Sequence, residues 1–260
     1  MKIVVLVKYV PEPTAAWRYS DDWTLDRAGV EGRLSELDEY AVEQALSLVE
    51  NGLSATVTFV TMGPARAVDG LRKALAMGGD DGVHISDEAL HGSDALSTSL
   101  VLARAVERTG FDLVVCGMSS TDAEMSVVPA MVADRLGVPQ VTFASALSVH
   151  DGSVTIRRDG ETAVEEVVAT LPAVVSVTDQ TGEVRYPSFK AIMAGKKKPV
   201  TTWTLADLGV EPALVGAAGA ATAVRSAAPQ PPRQAGVVVV DDDGGAAAQI
   251  ADFLVAQKLL

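Results

Sequence analysis

Hydroxyl and carboxylate side chains concentrate in residues 117–131, where their types and spacing could bind an anion. The polar residues of this segment include Ser119, Ser120, Thr121, Asp122 and Ser126. The segment follows a predicted strand and leads into a helix predicted to start near Ser126. The first N–H groups of a helix lack partners within it, and they lie at the positive end of its dipole, which suits a phosphate. The alternative is an ordinary helix start that Ser126 or Asp122 caps.

A second group of residues with a possible function spans residues 185–199, RYPSFKAIMAGKKKP. It combines an apolar patch with three consecutive lysines: Phe189, Ile192, Met193, Lys196, Lys197 and Lys198. An apolar patch with a basic rim suits brief docking of a partner protein. The alternative is that the apolar side chains pack inward while the lysines end a helix in solvent, favourably for its dipole.

Residue patterns typical of catalysis are absent from the sequence. The histidines, His84, His91 and His150, lack metal-ligand spacing, so we expect them to be structural or at the surface. The single cysteine, Cys116, ends a predicted strand and is expected to be buried and inert. No P-loop, Gly-x-Ser-x-Gly motif or glycine-rich dinucleotide motif occurs. We therefore predict neither a metal site nor catalytic residues.

Composition limits the possible partners and compartments. The 260 residues carry a net charge of −13, from 34 acidic and 21 basic residues, which argues against nucleic-acid binding. One cysteine excludes an intrachain disulfide and gives no sign of an oxidising compartment. No segment approaches the roughly 20 apolar residues of a membrane span. These observations predict a cytoplasmic protein that does not insert into membranes.

Buried strands alternate with amphipathic helices through roughly the first 140 residues, a pattern typical of α/β folds. Apolar runs at 3–7, 55–60, 83–85 and 113–116 predict the strands. Such alternation predicts a Rossmann-like parallel sheet with helices on both faces. Because ligands of these sheets bind beyond the carboxyl ends of the strands, the loop after residue 116 is at the expected position for a site.

Other segments predict a smaller β-rich part. Residues 11–34 are polar and predict a loop or hairpin excursion. Strands are predicted at 141–149 and 153–158, separated by His150-Asp151-Gly152, which is typical of a hairpin. Further strands are predicted at 161–168 and 173–177, and a short helix at 187–194.

The C-terminal part is predicted to be an extended arm. Residues 215–235 are rich in Ala and Pro, as linkers are, and a short helix is predicted at 246–257. We therefore divide the chain into a nucleotide-binding α/β domain, 1–214, which includes residues 185–199, and a linker with arm, 215–260. The arm either packs on another subunit or folds back on its own domain.

Several motifs in order along the chain resemble the β subunit of electron transfer flavoproteins. They are KIVVLVKYVPEP, LDEYAVEQAL, MGPARAVDGLRKALAMGGDDGVHI, VVCGMSSTDAEMSVVPAMVADRLGVPQVTFAS, LPAVVSV, RYPSFKAIMAGKKKP, DLGV and PPRQAGVVV. The resemblance covers nearly the whole length and both halves of the chain.

The resemblance implies a heterodimer in which the α subunit chiefly holds one FAD and the β subunit holds a structural AMP. The AMP-binding residues that it implies are Leu6, Ser35, Asp38, Met62, Gly117, Ser119, Ser120, Thr121, Asp122, Ser126, Val127 and Val128. Many family members carry amide or hydroxyl side chains at this helix start. The corresponding positions here are Ser126, Val127 and Val128, of which only Ser126 has a polar side chain. Backbone N–H groups would therefore have to make most of the contacts with the phosphate.

The resemblance also implies a docking function. Residues 186–198 resemble the recognition loop that anchors acyl-CoA dehydrogenases, with Phe189 at the position of the apolar anchor. The docking residues that it implies are Tyr186, Phe189, Ile192, Met193, Lys196, Lys197 and Lys198. The expected function is electron transfer from flavin dehydrogenases, as in fatty acid β-oxidation, towards a membrane quinone oxidoreductase. The segment from Pro231 is expected to reach the α subunit.

Other functions stay open at this point. An electron-bifurcating homologue would hold a second FAD in place of AMP. A stand-alone nucleotide-binding regulator, built on a small α/β stress-protein fold, would form a homodimer and bind ATP. The lysine run and the C-terminal arm argue against this regulator. An adenylating ligase has the least support, because the glycine-rich phosphate loop is absent.

Overall fold

The computed structural model describes residues 1–228, 231, 236, 238–241 and 244–260, in two compact units, Met1–Arg225 and Ser226–Leu260. The strands, all in the first unit, are β1 (Lys2–Leu6), β2 (Tyr9–Pro11), β3 (Gly32–Leu34), β4 (Thr56–Met62), β5 (Asp81–Ile85), β6 (Leu113–Gly117), β7 (Gln140–Ala144), β8 (Ala146–His150), β9 (Ser153–Asp159), β10 (Val164–Thr170), β11 (Ala173–Val177) and β12 (Val200–Trp203). Its helices are α1 (Glu36–Glu50), α2 (Ala67–Met77), α3 (Ala95–Thr109), α4 (Val128–Leu136), α5 (Phe189–Gly195) and the single turn α6 (Gly216–Gly219). Short 3-10 turns lie at Glu88–Leu90, Asp179–Thr181, Ala206–Leu208 and Pro212–Leu214.

Seven parallel strands form the central sheet, in the order β12-β5-β4-β1-β6-β11-β7. Strand β1 pairs with β4 on one side and with β6 on the other, so the direction in which successive strands are added reverses between β1 and β6. This sheet confirms the predicted Rossmann-like α/β fold.

The side chains of β1 show why both faces of the sheet are covered. Successive residues of a strand point to opposite faces. Ile3 and Val5 belong to the apolar cluster that includes residues of α1 and α2. Val4 and Leu6 belong to the cluster that includes residues of α3 and α4. A strand buried on both faces must be apolar at every position, which explains the continuous apolar run in the sequence.

Side-chain caps set the start of only some of the helices. Asp94 accepts a hydrogen bond from the backbone N–H of Ser97 at 3.0 Å and so caps α3. Helix α1 begins after Ser35 and ends before Asn51, and the side chain of Ser35 does not cap it.

The region after residue 139 partly differs from the prediction. Strands β8 and β9 form the predicted hairpin and, with β10, an antiparallel sheet. The single strand predicted at 141–149 is wrong, because β7 pairs with β11 in the central sheet while β8 belongs to the small one. The chain changes sheets near Phe143, which adopts a φ of 62°. Strand β12 was not predicted.

The remaining segments follow the predicted outline. Strands β2 and β3 pair as the base of the excursion at 11–34. The second unit contains α7 (Ala246–Ala256), as predicted. Residues 229–230, 232–235, 237 and 242–243 lie outside the described residues, and so does part of the predicted linker and of the motif PPRQAGVVV. The domain boundary at residue 214 stays a prediction. In the described part of the chain, none of the helices has the length and apolar character that a membrane crossing requires.

Phe59 tests the placement of the core. It is among the largest fully buried side chains, on β4. We expect Phe59→Ala to lower the free energy of unfolding by about 3–5 kcal/mol in urea denaturation, because it removes buried contacts and leaves a cavity. The exposed Phe189 is the matched control, and Phe189→Ala should change the same quantity by less than about 0.5 kcal/mol. Equal losses in the two variants would contradict this placement.

Candidate nucleotide site and docking segment

The candidate nucleotide site lies where β1 and β6 end side by side. The loop at 118–127 follows β6, and the start of α1 packs close to the end of the same strand. In open parallel sheets, ligands bind outside the carboxyl ends of the strands at the point where the strand order reverses. The polar loop is therefore at the position that the sequence analysis predicts for it.

A buried carboxylate, Asp38, joins the two strand ends to helix α1. Its Oδ2 accepts a hydrogen bond from the backbone N–H of Lys8 at 2.8 Å, and the backbone N–H of Gly117 also donates to it. A Cβ atom at Gly117 would lie 2.6 Å from Asp38 Oδ1, so this close approach requires glycine. Burial raises the pKa of Asp38 to about 7, against the effect of these N–H groups.

A second carboxylate, Asp122 of the loop, forms ion pairs with two cationic side chains. Lys8 Nζ lies 2.8 Å from Asp122 Oδ1, and an Arg27 guanidinium nitrogen lies 2.6 Å from Asp122 Oδ2. Lys8 Nζ also donates to Ser120 Oγ at 3.2 Å. The Asp122 side chain is only 2% exposed. Burial alone would raise its pKa, but Lys8 and Arg27 outweigh burial and lower the pKa to about 2. Asp122 is therefore an ionised bridge between two cations.

Helix α4 begins without a side-chain cap. Its N-cap residue is Val127, which makes no side-chain hydrogen bond, so the interpretation that Ser126 or Asp122 caps it is wrong. Ser126 instead adopts a φ of 55°, which is uncommon for residues other than glycine. Nearby, Thr121 Oγ1 is buried without a hydrogen-bond partner in the described part of the chain. Buried hydroxyls and helix-start N–H groups normally have hydrogen-bond partners. The Thr121 hydroxyl and the first N–H groups of α4 are therefore available as donors to a ligand.

The structure brings together most of the predicted nucleotide residues, but not all by direct contact. The backbone N–H of Thr121 donates to the buried Ser35 Oγ at 3.4 Å. Leu6 and Met62 lie at the ends of β1 and β4, in or against the apolar cluster that includes residues of α3 and α4. Ser119 makes only a local contact, with the backbone oxygen of Ser120 at 3.5 Å.

Two functional candidates were missed in the sequence. Lys8 follows the first strand directly, and its position beyond the carboxyl end of β1 could have indicated a ligand-facing cation. Arg27 lies in the polar excursion, far from residue 122 in sequence, and no local pattern indicates its pairing with Asp122.

The docking segment, residues 185–199, exposes its aromatic side chains. Tyr186 is 96% exposed and Phe189 is 79% exposed, and Ile192 and Met193 are exposed as well. The interpretation that these apolar side chains pack inward is therefore wrong.

Helix α5 lies directly on helix α2. Ser188 caps α5 by accepting a hydrogen bond from the backbone N–H of Ala191 at 3.2 Å. A Cβ atom at Gly195 would lie 2.7 Å from the backbone nitrogen of Ala76, so α5 can pack this closely only with glycine there. Arg72 on α2 donates to the backbone oxygens of Gly195 and Lys198, at 3.1 and 2.7 Å.

The three lysines of the run have different environments. Lys198 Nζ donates to the backbone oxygens of Leu75 and Gly78, at 2.9 and 2.8 Å, and so binds carbonyls at the C-terminal end of α2. Burial lowers its pKa. Lys196 and Lys197 are exposed and form the free part of the predicted basic rim.

Two of the histidines, His84 and His91, have local partners. His84 is buried, and its Nε2 lies 3.0 Å from the backbone oxygen of Gly63, whereas His91 pairs at the surface with Asp22 at 2.6 Å. Cys116 is buried, as predicted, and burial raises the pKa of its thiol. Within the described residues, no group of three or more His, Cys, Asp or Glu could hold a metal ion.

Asp122 makes part of the stability dependent on pH. Its folded pKa of about 2 lies below the usual 3.8, so its contribution is present above about pH 4 and is lost as the pH falls from about 4 to about 2. We expect the wild type to lose about 2 kcal/mol more of its free energy of unfolding across this interval than Asp122→Asn, in urea denaturation at each pH. An equal acid loss in both proteins would contradict the ion pairing.

Asp38 provides a control with the opposite sign. Its folded pKa of about 7 is raised, so the associated stability is present below about pH 4 and is lost as the pH rises from about 4 to about 7. The Asp38→Asn variant should therefore still lose free energy of unfolding between pH 4 and pH 2. The decrease that Asp38 causes between pH 4 and pH 7 should be absent from it.

Comparison with known proteins identifies the family of the chain. A family model described as the electron transfer flavoprotein domain matches residues 22–208. The proteins named electron transfer flavoprotein subunit beta from Mycobacterium leprae and Mycobacterium tuberculosis are 45% and 44% identical, each over 99% of both chains. The protein of the same name from Megasphaera elsdenii is 33% identical over the full length of both chains. The chain therefore belongs to the β subunits of the electron transfer flavoproteins.

Proposed function

We propose that this β subunit binds AMP as a structural group, pairs with an α subunit that holds FAD, and docks flavin dehydrogenases through residues 185–199. In this role it has no catalytic residues of its own. Electrons pass from dehydrogenases such as acyl-CoA dehydrogenases to the FAD and on to a membrane quinone oxidoreductase. The observation that carries the proposal is the outward-facing aromatic pair Tyr186 and Phe189 on a segment bound firmly to the fold.

The residues at the β1–β6 reversal suit the phosphate of AMP. Lys8 and Arg27 carry two positive charges against the negative charge of Asp122. The neighbouring Asp38 has a pKa raised to about 7, so it is only partly ionised near neutral pH and the balance beside the loop stays positive. The uncapped start of α4 and the Thr121 hydroxyl, which has no partner among the described residues, add donors. AMP bound there would stabilise the heterodimer without taking part in electron transfer.

The docking segment suits a partner that binds briefly. A carrier must bind, exchange electrons and dissociate, so its interface has to be small and centred on few anchors. Phe189 and Tyr186 are exposed aromatic side chains of the type that dominates such interfaces. Lys196 and Lys197 lie exposed near them, where charge contacts would raise the association rate more than the affinity.

The identity of the nucleotide can be read directly from the purified heterodimer. We expect one FAD and one AMP per heterodimer after denaturation and chromatography. Val128 is the first residue of α4, and Val128→Asp should abolish AMP retention because its carboxylate repels the phosphate, while the helix dipole still favours the folded helix. Val128→Asn is the uncharged control and should retain AMP. Two FAD per heterodimer would replace this proposal with the bifurcating alternative.

Phe189→Ala tests docking. We expect the apparent KM for a reduced acyl-CoA dehydrogenase to rise at least about 10-fold, because the anchor is lost, with FAD content unchanged. Arg104→Ala, at an exposed arginine of α3 outside the docking segment, is a surface control and should leave the KM unchanged. Loss of flavin from the Phe189 variant would show that Phe189 is structural and would contradict the docking function.

A further inference from the structure

Arg185, the first residue of the docking segment, lies between two carboxylates of helix α1. Its guanidinium donates to both oxygens of Glu43, at 2.7 and 2.8 Å, and to both oxygens of Glu50, at 2.6 and 2.9 Å. Its backbone N–H donates to Glu43 as well, at 3.1 Å. Both the side chain and the backbone of this residue are therefore fixed to α1.

These ion pairs fix the orientation of Arg185 more firmly than a single surface ion pair would. Glu43 and Glu50 are seven residues apart, so they lie on one face of α1, about 10 Å apart along its axis. A single exposed ion pair contributes little to stability. Here a planar guanidinium engages two carboxylates, each through two hydrogen bonds, and such bidentate contacts fix orientation as well as distance. Glu43 is also largely buried, at 13% exposure.

The fixed orientation passes directly to the exposed aromatics. Tyr186 is the next residue, and Pro187 restricts the backbone between it and Ser188, which caps α5. Phe189 is the first residue of that helix. At the other end of the segment, Lys198 is bound to the end of α2. Arg185 is thus the N-terminal anchor of a short segment whose other end is already fixed.

We propose that Arg185 is a positioning residue for docking: its contacts with Glu43 and Glu50 hold Tyr186 and Phe189 in the orientation that a flavin dehydrogenase binds. This inference rests on the proposed docking function. Arg185 acts through Phe189, and the dehydrogenase binds the aromatic pair. Without Arg185, the partner would have to order the segment as it binds, which weakens association.

A role in stability alone predicts different results from a role in positioning. A structural residue would lower the melting temperature and release cofactors when it is replaced. A positioning residue at the surface changes the order of residues 186–195 and the docking of the partner, with FAD and AMP content kept. Arg104 is the matched control, because it is an exposed arginine paired with Glu107 on α3 at 3.0 Å, outside the docking segment.

Hydrogen–deuterium exchange of the heterodimer tests the order of the segment without a partner. The amides of Ala191 and Ile192 are bonded to Ser188 at the start of α5. We expect Arg185→Ala to speed their exchange by at least about 10-fold, Glu43→Gln to speed it by a smaller factor, and Arg104→Ala to leave it unchanged. Unchanged exchange in Arg185→Ala would overturn the proposal.

Electron acceptance from a purified acyl-CoA dehydrogenase, reduced by its acyl-CoA substrate, tests the consequence for docking. We expect Arg185→Ala to raise the apparent KM about 5-fold or more with kcat kept, and to add less than about 2-fold when Phe189 is already Ala. Independent, multiplying effects of the two changes would overturn the inference. If Phe189→Ala weakens docking but Arg185→Ala does not, only the positioning role fails. If Phe189→Ala has no effect, the proposed docking function itself fails.

Discussion

The buried carboxylate of Asp38 is the interaction on which the site depends. Two parallel strands that end side by side leave backbone N–H groups unpaired, and burying them without partners would be costly. Asp38 accepts hydrogen bonds from both strand ends and lies in the first turn of α1, so it fixes the helix to the reversal point of the sheet. The approach is so close that only glycine fits at position 117. The loop that follows β6 therefore starts from a fixed position.

Helix α1 also connects this site to the docking segment. Asp38 lies in its first turn, and Glu43 and Glu50 lie further along it, where they bind Arg185. One rigid element thus supports both the candidate nucleotide site and the docking segment. Helix α2 supports the same segment from its other end. In a chain with a net charge of −13, the exposed lysines of this segment place positive charge beside exposed apolar side chains.

The predictable parts of the fold were those with local causes. Central strands such as β1, covered on both faces, are continuous apolar runs, and the start of α3 coincides with a side-chain cap, Asp94. Strand β12 has only one neighbouring strand, and its half-exposed residues carry no such signal. The change of sheet near Phe143 could not be predicted, because apolar residues recur on both sides of the change, in β7 and in β8. In the site, the loop after β6 was predictable from its position, whereas the pairing of Lys8 and Arg27 with Asp122 joins distant segments. The separate role of Lys198 depends on where α2 ends.

The position of β1 in the middle of the sheet has a consequence for biosynthesis. This strand is made before the strands beside it, and one of its two neighbours, β6, follows about 110 residues later, as the contact from Lys2 to Asp112 shows. Contacts between residues so far apart form slowly, because a long loop must close first. On the ribosome, the apolar side chains of β1 therefore stay partly uncovered until half of the chain is complete. Apolar surface that is exposed in this way during synthesis is the kind that chaperones cover.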